Sequence, residues 1–183
     1  GLPPAELTPA TGRDIHLQGG TVLGSSRGPE AASAMVDTLE RLGVGLLFVV
    51  GGDGTLRGAQ AIAEEVRRRG RPIGVIGIPK TIDNDIAFIQ QSFGFETAVV
   101  ESRHVIRAAN SEAVGARNGV GLVKLMGRHS GFIAAYATLA NGDVNFCLVP
   151  EVPFTFDGFV AALRARLAQR GHADAHHVEA EVE

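Results

Sequence analysis

The chain has 183 residues, with no tryptophan, one tyrosine and one cysteine, and aromatic residues make up 5% of it. One cysteine excludes an internal disulfide framework, which favours a reducing compartment. Cys147 lies in the apolar run Phe146-Cys147-Leu148-Val149, where a buried thiol acting as a small hydrophobe is the ordinary reading. No run is long and apolar enough for a membrane span. The start, Gly1-Leu2-Pro3-Pro4-Ala5-Glu6, lacks the charged and apolar regions of a signal peptide. These absences point to the cytoplasm and away from a membrane. The net charge is only −3, so no basic face argues for nucleic acid. There is no starting methionine, which reads as a processed, trimmed or partial chain. Glycine is the residue in excess, at 24, and some of it falls in loops that follow short apolar runs.

Those runs alternate with amphipathic stretches. After a short extended segment at 14–17, the pattern predicts helices over 30–42, 55–69, 95–109, 131–139 and 157–169, the last with Asp157 as its N-cap. It predicts strands over 46–50, 73–78, 120–125 and 145–149. The runs at 46–50 and 73–78 are continuously apolar, as in parallel strands covered on both faces. Arg67-Arg68-Arg69 reads as a solvated last helical turn that complements the helix dipole. Repeated strand–helix units with right-handed crossovers imply an α/β fold: a doubly wound, mostly parallel sheet with helices on both faces, in three layers. A further strand is due after Gly171, yet residues 172–183 are polar, with three histidines and three glutamates. They read as a disordered tail, and the histidines lack the companions of a metal site.

Two loops carry the chemistry. Val49-Val50-Gly51-Gly52-Asp53-Gly54-Thr55 runs from strand into helix. Its glycines allow close approach of backbone N–H groups to an anion, and the helix start adds unpaired donors and the positive dipole end. Asp53 sits there with no cation nearby in the sequence. A bare carboxylate beside phosphate calls for a bridging metal, most simply magnesium; the plainer alternative is a tight turn with Asp53 as a cap. The loop is no Walker A motif, because GK[ST] is absent. The second loop, Pro79-Lys80-Thr81-Ile82-Asp83-Asn84-Asp85, places two carboxylates two residues apart. Each needs a partner or a chemical role. One suits a general base, the other a magnesium ligand, and Lys80 suits a transferring phosphate. An Asx-rich turn is the plainer alternative. In Met126-Gly127-Arg128-His129-Ser130-Gly131 the planar fork of Arg128 suits a phosphate or carboxylate. Leu23-Gly24-Ser25-Ser26-Arg27-Gly28 is a weaker phosphate-loop candidate with Arg27 as its charge.

In this order the motifs GGTVLGSSRG, VVGGDGTLRGA, GIPKTIDNDI, FGFETAVV, VKLMGRHSGFIA and LVPEVPF resemble the 6-phosphofructokinase family over roughly residues 15–171. The resemblance implies an ATP-dependent kinase that phosphorylates the 1-hydroxyl of fructose 6-phosphate in glycolysis, with magnesium as cofactor and a homo-oligomeric assembly. Residues 1–171 would then be part of its nucleotide-binding catalytic domain. Carried over by position, Asp83 matches the catalytic base and Thr81 the residue contacting the transferred phosphate and the sugar. Asp53 and Asp85 match the magnesium carboxylates. Gly51, Gly52, Gly54 and Thr55 match the nucleotide-phosphate loop, which Arg27 assists. Met126, Gly127 and Arg128 match the sugar-phosphate side, and Glu151 opens the PEVPF stretch.

Gly54 and Lys80 bear on the donor. In the resemblance, pyrophosphate-dependent members carry Asp at the first position and Lys at the second, whereas Gly followed by Lys accompanies ATP. The family's glycine-rich opening strand and its second domain have no counterpart here, and no arginine stands in register near Gly119 to reach a neighbouring subunit's site. A pyrophosphate-dependent enzyme and a catalytically incomplete fragment are therefore the rival expectations. NAD and lipid kinases share GGDG but not PKTIDNDI.

Overall fold

The computed structural model describes residues 4–22, 24, 28, 30–170 and 172–178. A 3-10 turn, Ile15–Leu17, precedes α1 (Ala32–Arg41), β1 (Leu46–Gly51), α2 (Asp53–Arg68), β2 (Gly74–Pro79), α3 (Phe95–Gly115), β3 (Gly119–Leu125), α4 (Phe132–Leu139), β4 (Phe146–Leu148), α5 (Phe156–Arg170) and β5 (His172–Val178). The extended segment expected at 14–17 is that turn instead. Asp14 adopts a left-handed φ of 61°, and the N–H groups of Leu17 and Gln18 donate back to Asp14 and Ile15. Helix α3 continues past Ala109 to Gly115. Helix α5 opens at Phe156, and the Gly158 N–H donates to Thr155 Oγ1 at 3.1 Å. Thr155, rather than Asp157, therefore caps α5.

Among the described residues every strand pairing is parallel, as the α/β reading expects, but the strands form two ladders rather than one sheet: β1–β2, and β3–β5–β4. An isolated parallel bridge also joins Lys80 to Phe93. The path β3–α4–β4–α5–β5 moves two places across and returns to the middle. With right-handed crossovers that reversal puts α4 and α5 on opposite faces. In agreement, α3 and α4 pack with each other and on β5, while α5 packs on β5 without either of them among the described residues.

The polar tail expected at 172–183 is corrected in its first part. His172–Val178 forms β5, the middle strand of its ladder. The cause lies outside the segment: β3 and β4 do not pair with each other, so β5 supplies the main-chain partners each needs on its inner edge.

Two cores result. Val36, Ile62 and Val66 join α1 and α2 over Leu47 and Val75. Ile106, Val123 and Ala137 join α3, β3 and α4. Among the described residues the β1–β2 ladder is covered on one face only. Leu46, Phe48 and Val50, alternate residues of β1, remain 50%, 55% and 51% exposed, and Ile76 of β2 stands out with them. The expectation of strands covered on both faces thus fails here among the described residues.

Candidate active site

Strand β1 ends at Gly51 and α2 begins at Asp53, with Gly52 between them as the N-cap in extended conformation. Gly51 is required by space: a Cβ added there would lie 2.5 Å from Thr55 Oγ1. Thr55 is thereby folded back over the end of β1. A Cβ added at Gly54 meets nothing within 4 Å, so the loop is open above that residue. The first N–H groups of α2 have no intrahelical acceptors, and the positive dipole end lies among them.

Asp53 is the first residue of α2 and not its cap. Its Oδ2 pairs with Arg57 Nη2 at 2.7 Å, one turn on, with both side chains well exposed. The cation that the loop's own sequence lacks beside Asp53 is thus supplied by Arg57 through i,i+4 spacing. An exposed pair of this kind is worth only about 0.2–1 kcal/mol, so a better ligand can displace it.

The second loop leaves β2 beside the first. Lys80 N–H donates to Gly51 O at 2.8 Å, and a Cβ added at Gly52 would lie 3.7 Å from Thr81 Cβ. The phosphate-loop candidate and the two-carboxylate loop therefore touch. Within the second loop, Asp83 N–H donates to Thr81 Oγ1 at 3.2 Å. Asn84 adopts a left-handed φ of 55°, which asparagine tolerates better than most residues. Asp83 is half-buried and Asp85 exposed. Burial pushes the Asp83 carboxyl above its ordinary value and the Asp85 charge adds to this; Arg128 and a hydrogen bond with Thr81 act the other way.

A cavity of about 490 Å³ opens between this loop and the one after β3, with Ile82, Asp83, Lys124, Met126, Gly127 and Arg128 in its lining. Met126 is 71% exposed. Gly127 and Arg128 take positive φ values of 148° and 54°, the sharp turn that follows β3. Thus Asp83, Arg128, Met126 and Gly127 meet in one cavity, while Gly51 and Gly52 touch Lys80 and Thr81, with Asp53, Gly54 and Thr55 following on the same loop. Arg27 lies outside the described residues.

Among the described residues no three of His, Cys, Asp or Glu gather into a metal cage. The donor set still fits magnesium, which is commonly held by one or two carboxylates and completed by substrate phosphates and water. Asp53 and Asp85 are exposed hard-oxygen donors on two touching loops.

Sequence reasoning missed four participants. Lys124 lines the cavity; its signal is a cation interrupting the apolar run of β3. Ser130 Oγ donates to Asp83 O at 2.9 Å, a contact with no local sequence signal. Asn84 and Ser92 are buried behind the loop. Glu151 Oε1 also acquires a definite place, accepting the Gly131 N–H at 2.8 Å where α4 starts.

A family model described as "Phosphofructokinase" matches residues 4–182. The chain is 58% identical over 161 residues to the ATP-dependent 6-phosphofructokinase of Trypanosoma cruzi, covering 88% of this chain and 33% of that protein. It is 56% identical over 153 residues to the ATP-dependent 6-phosphofructokinase of Amycolatopsis methanolica, covering 84% of this chain and 33% of that protein. Among solved structures, the pyrophosphate-dependent phosphofructokinase of Marinobacter aquaeolei superposes with a TM-score of 0.75 at 26% identity, covering 88% of this chain and 43% of that one. The chain spans about a third of the length of these curated relatives.

Proposed function

Since the chain belongs to the phosphofructokinase family, we propose that the intact protein transfers the γ-phosphoryl group of ATP to the 1-hydroxyl of fructose 6-phosphate. The observation that carries this reading is the contact between the two loops through Lys80 N–H and Gly51 O. It brings a helix start suited to phosphate against the loop of a half-buried carboxylate.

In this proposal Gly51, Gly52, Gly54 and Thr55 cradle the donor phosphates with main-chain N–H groups, and Arg27 assists. Asp83 takes the proton of the attacking 1-hydroxyl. Lys80 and Thr81 flank the transferring group and offset its charge. Met126, Gly127 and Arg128 hold the acceptor, and Arg128 also faces the Asp83 charge. Asp53 and Asp85 would hold magnesium, which supplies charge neutralisation on the phosphates when bound. Most of the catalytic effect in such a site is positioning and electrostatics, with the base contributing the proton transfer. Residues 1–171 act as one part of the catalytic domain. The protein works in the cytoplasm as a homo-oligomer, without nucleic acid or membrane partners; among the described residues no helix is long and apolar enough to cross a membrane.

ATP is favoured over pyrophosphate by the relatives at 56–58% identity, which bear ATP-dependent names. The open space above Gly54 agrees: a carboxylate there would crowd and repel a nucleotide's inner phosphate. One observation favours the rival, the pyrophosphate-dependent name of the 26% identical structural neighbour. A coupled assay of the intact protein with each donor separates the two. Turnover with ATP, lost in Gly54→Asp, is expected; turnover with pyrophosphate alone, or indifference to Gly54→Asp, would reverse the donor.

A further inference from the structure

Three buried polar side chains stand behind the Asp83 loop rather than in the cavity. Ser130 is 6% exposed, Asn84 7% and Ser92 3%. Their hydrogen bonds fall on the loop's main chain and on one another. Ser130 Oγ donates to Asp83 O at 2.9 Å, and Ser92 Oγ donates to Thr81 O. Ser92 N–H donates to Asn84 Oδ1 at 2.8 Å, and Asn84 Nδ2 donates to Gln90 O at 3.2 Å. The loop between Lys80 and Ser92 has no ladder or helix of its own among these residues. Side-chain bonds therefore do what secondary structure does elsewhere, and Asn84 holds its left-handed φ under their constraint. Of these contacts, only the Ser130 bond crosses from the β3–α4 loop to the Asp83 loop. Ser130 is itself fixed, because its N–H donates to Gly127 O at 2.9 Å within the turn that carries Arg128.

We propose that Ser130 is a positioning residue for phosphoryl transfer: its hydroxyl locks the Asp83 main chain to the turn bearing Gly127 and Arg128, so that base and acceptor-binding groups keep one spacing. The inference rests on Asp83 being the base. Small displacements of a reacting group are costly, with a 1 Å error worth about a hundredfold in rate. A structural role alone would lower stability without singling out turnover.

The test uses the intact protein, assayed with ATP and fructose 6-phosphate, comparing Ser130→Ala with Ser102→Ala. Ser102 is a second buried serine, 6% exposed, whose Oγ donates to Val99 O at 2.7 Å inside α3, away from the cavity. Both variants should lose similar thermal stability. Ser130→Ala should lose about 10- to 100-fold in kcat with the KM for ATP unchanged, and Ser130→Thr should recover most of it. Ser102→Ala should keep wild-type kcat. Equal kcat in the two alanine variants would overturn the inference. If Ser130→Ala does not fold, Ser130→Cys takes its place: reduced kcat supports the lock and wild-type kcat overturns it. Asp83→Asn is assayed alongside. If it is inactive while Ser130→Ala turns over normally, only the positioning role falls; if it turns over normally, the base assignment falls and takes this inference with it.

Discussion

Gly51 is the residue on which the proposed phosphate loop turns, because Thr55 lies against the space its missing Cβ would fill. Gly51→Ala should cost about 1–3 kcal/mol by overpacking, seen as a lower denaturant midpoint, and should weaken ATP binding as Thr55 moves. A normal midpoint would mean that Thr55 swings away freely. At this scale the sequence is most readable where chemistry depends on residue type and local spacing. The glycines around Asp53, and the paired carboxylates of Asp83 and Asp85, stand out by their type alone. The Arg57 pairing is legible in principle too, since i,i+4 partners follow from helix geometry, although the motif reading stops short of it. Ser130 is not, because its acceptor, Asp83 O, is 47 positions away and only the fold brings them together.

Helices α1 and α2 are tied at the end of α2 by charge. Glu65 accepts from Arg68 at 2.6 and 2.7 Å and from Arg69 at 2.7 Å. Arg69 reaches across to Asp37 and to Ser33 O of α1. The triple arginine therefore differs from the solvated turn expected: Arg69's side chain is only 19% exposed. Hydrogen bonds from Arg68 and then Arg69 lower the Glu65 carboxyl from 4.5 to about 2. A depressed carboxylate stabilises the fold above its ordinary value, and the contribution is lost as pH falls through the folded value. Glu65→Gln should thus lower Tm at neutral pH, and the gap to wild type should close between about pH 4.5 and pH 2. A gap independent of pH would show that Glu65 contributes through packing rather than through its charge on Arg68 and Arg69. At the start of α5, Thr155→Ala should cost about 1 kcal/mol as a lost cap, while Asp157→Ala should cost less. Elements with a strong apolar signal, periodic in α2 and continuous in β1, are legible to within a residue or two. Strand β5 is not, since its polar sequence is held by the partners β3 and β4 offer on either side.

Over the whole molecule, the two ladders leave apolar faces open: Leu46, Phe48 and Val50 on β1, and Val120 and Leu122 on β3. Faces of this kind bind apolar partners or promote association. The purified chain should bind a hydrophobic dye, and Phe48→Ser with Leu122→Ser should reduce that binding; no change would mean that something covers these strands. The fold class is legible because strand and helix periods alternate along the chain, whereas the split into two ladders depends on pairings that no single segment encodes. The central claim concerns Asp83 and the loop that Lys80 N–H ties to Gly51. Its most direct test is the rate at which the intact protein makes fructose 1,6-bisphosphate from ATP and fructose 6-phosphate, in wild type and in Asp83→Asn. The account predicts a fall of about 10²- to 10⁴-fold in kcat for the variant, with ATP still bound; an Asp83→Asn protein that keeps most of its turnover would contradict it.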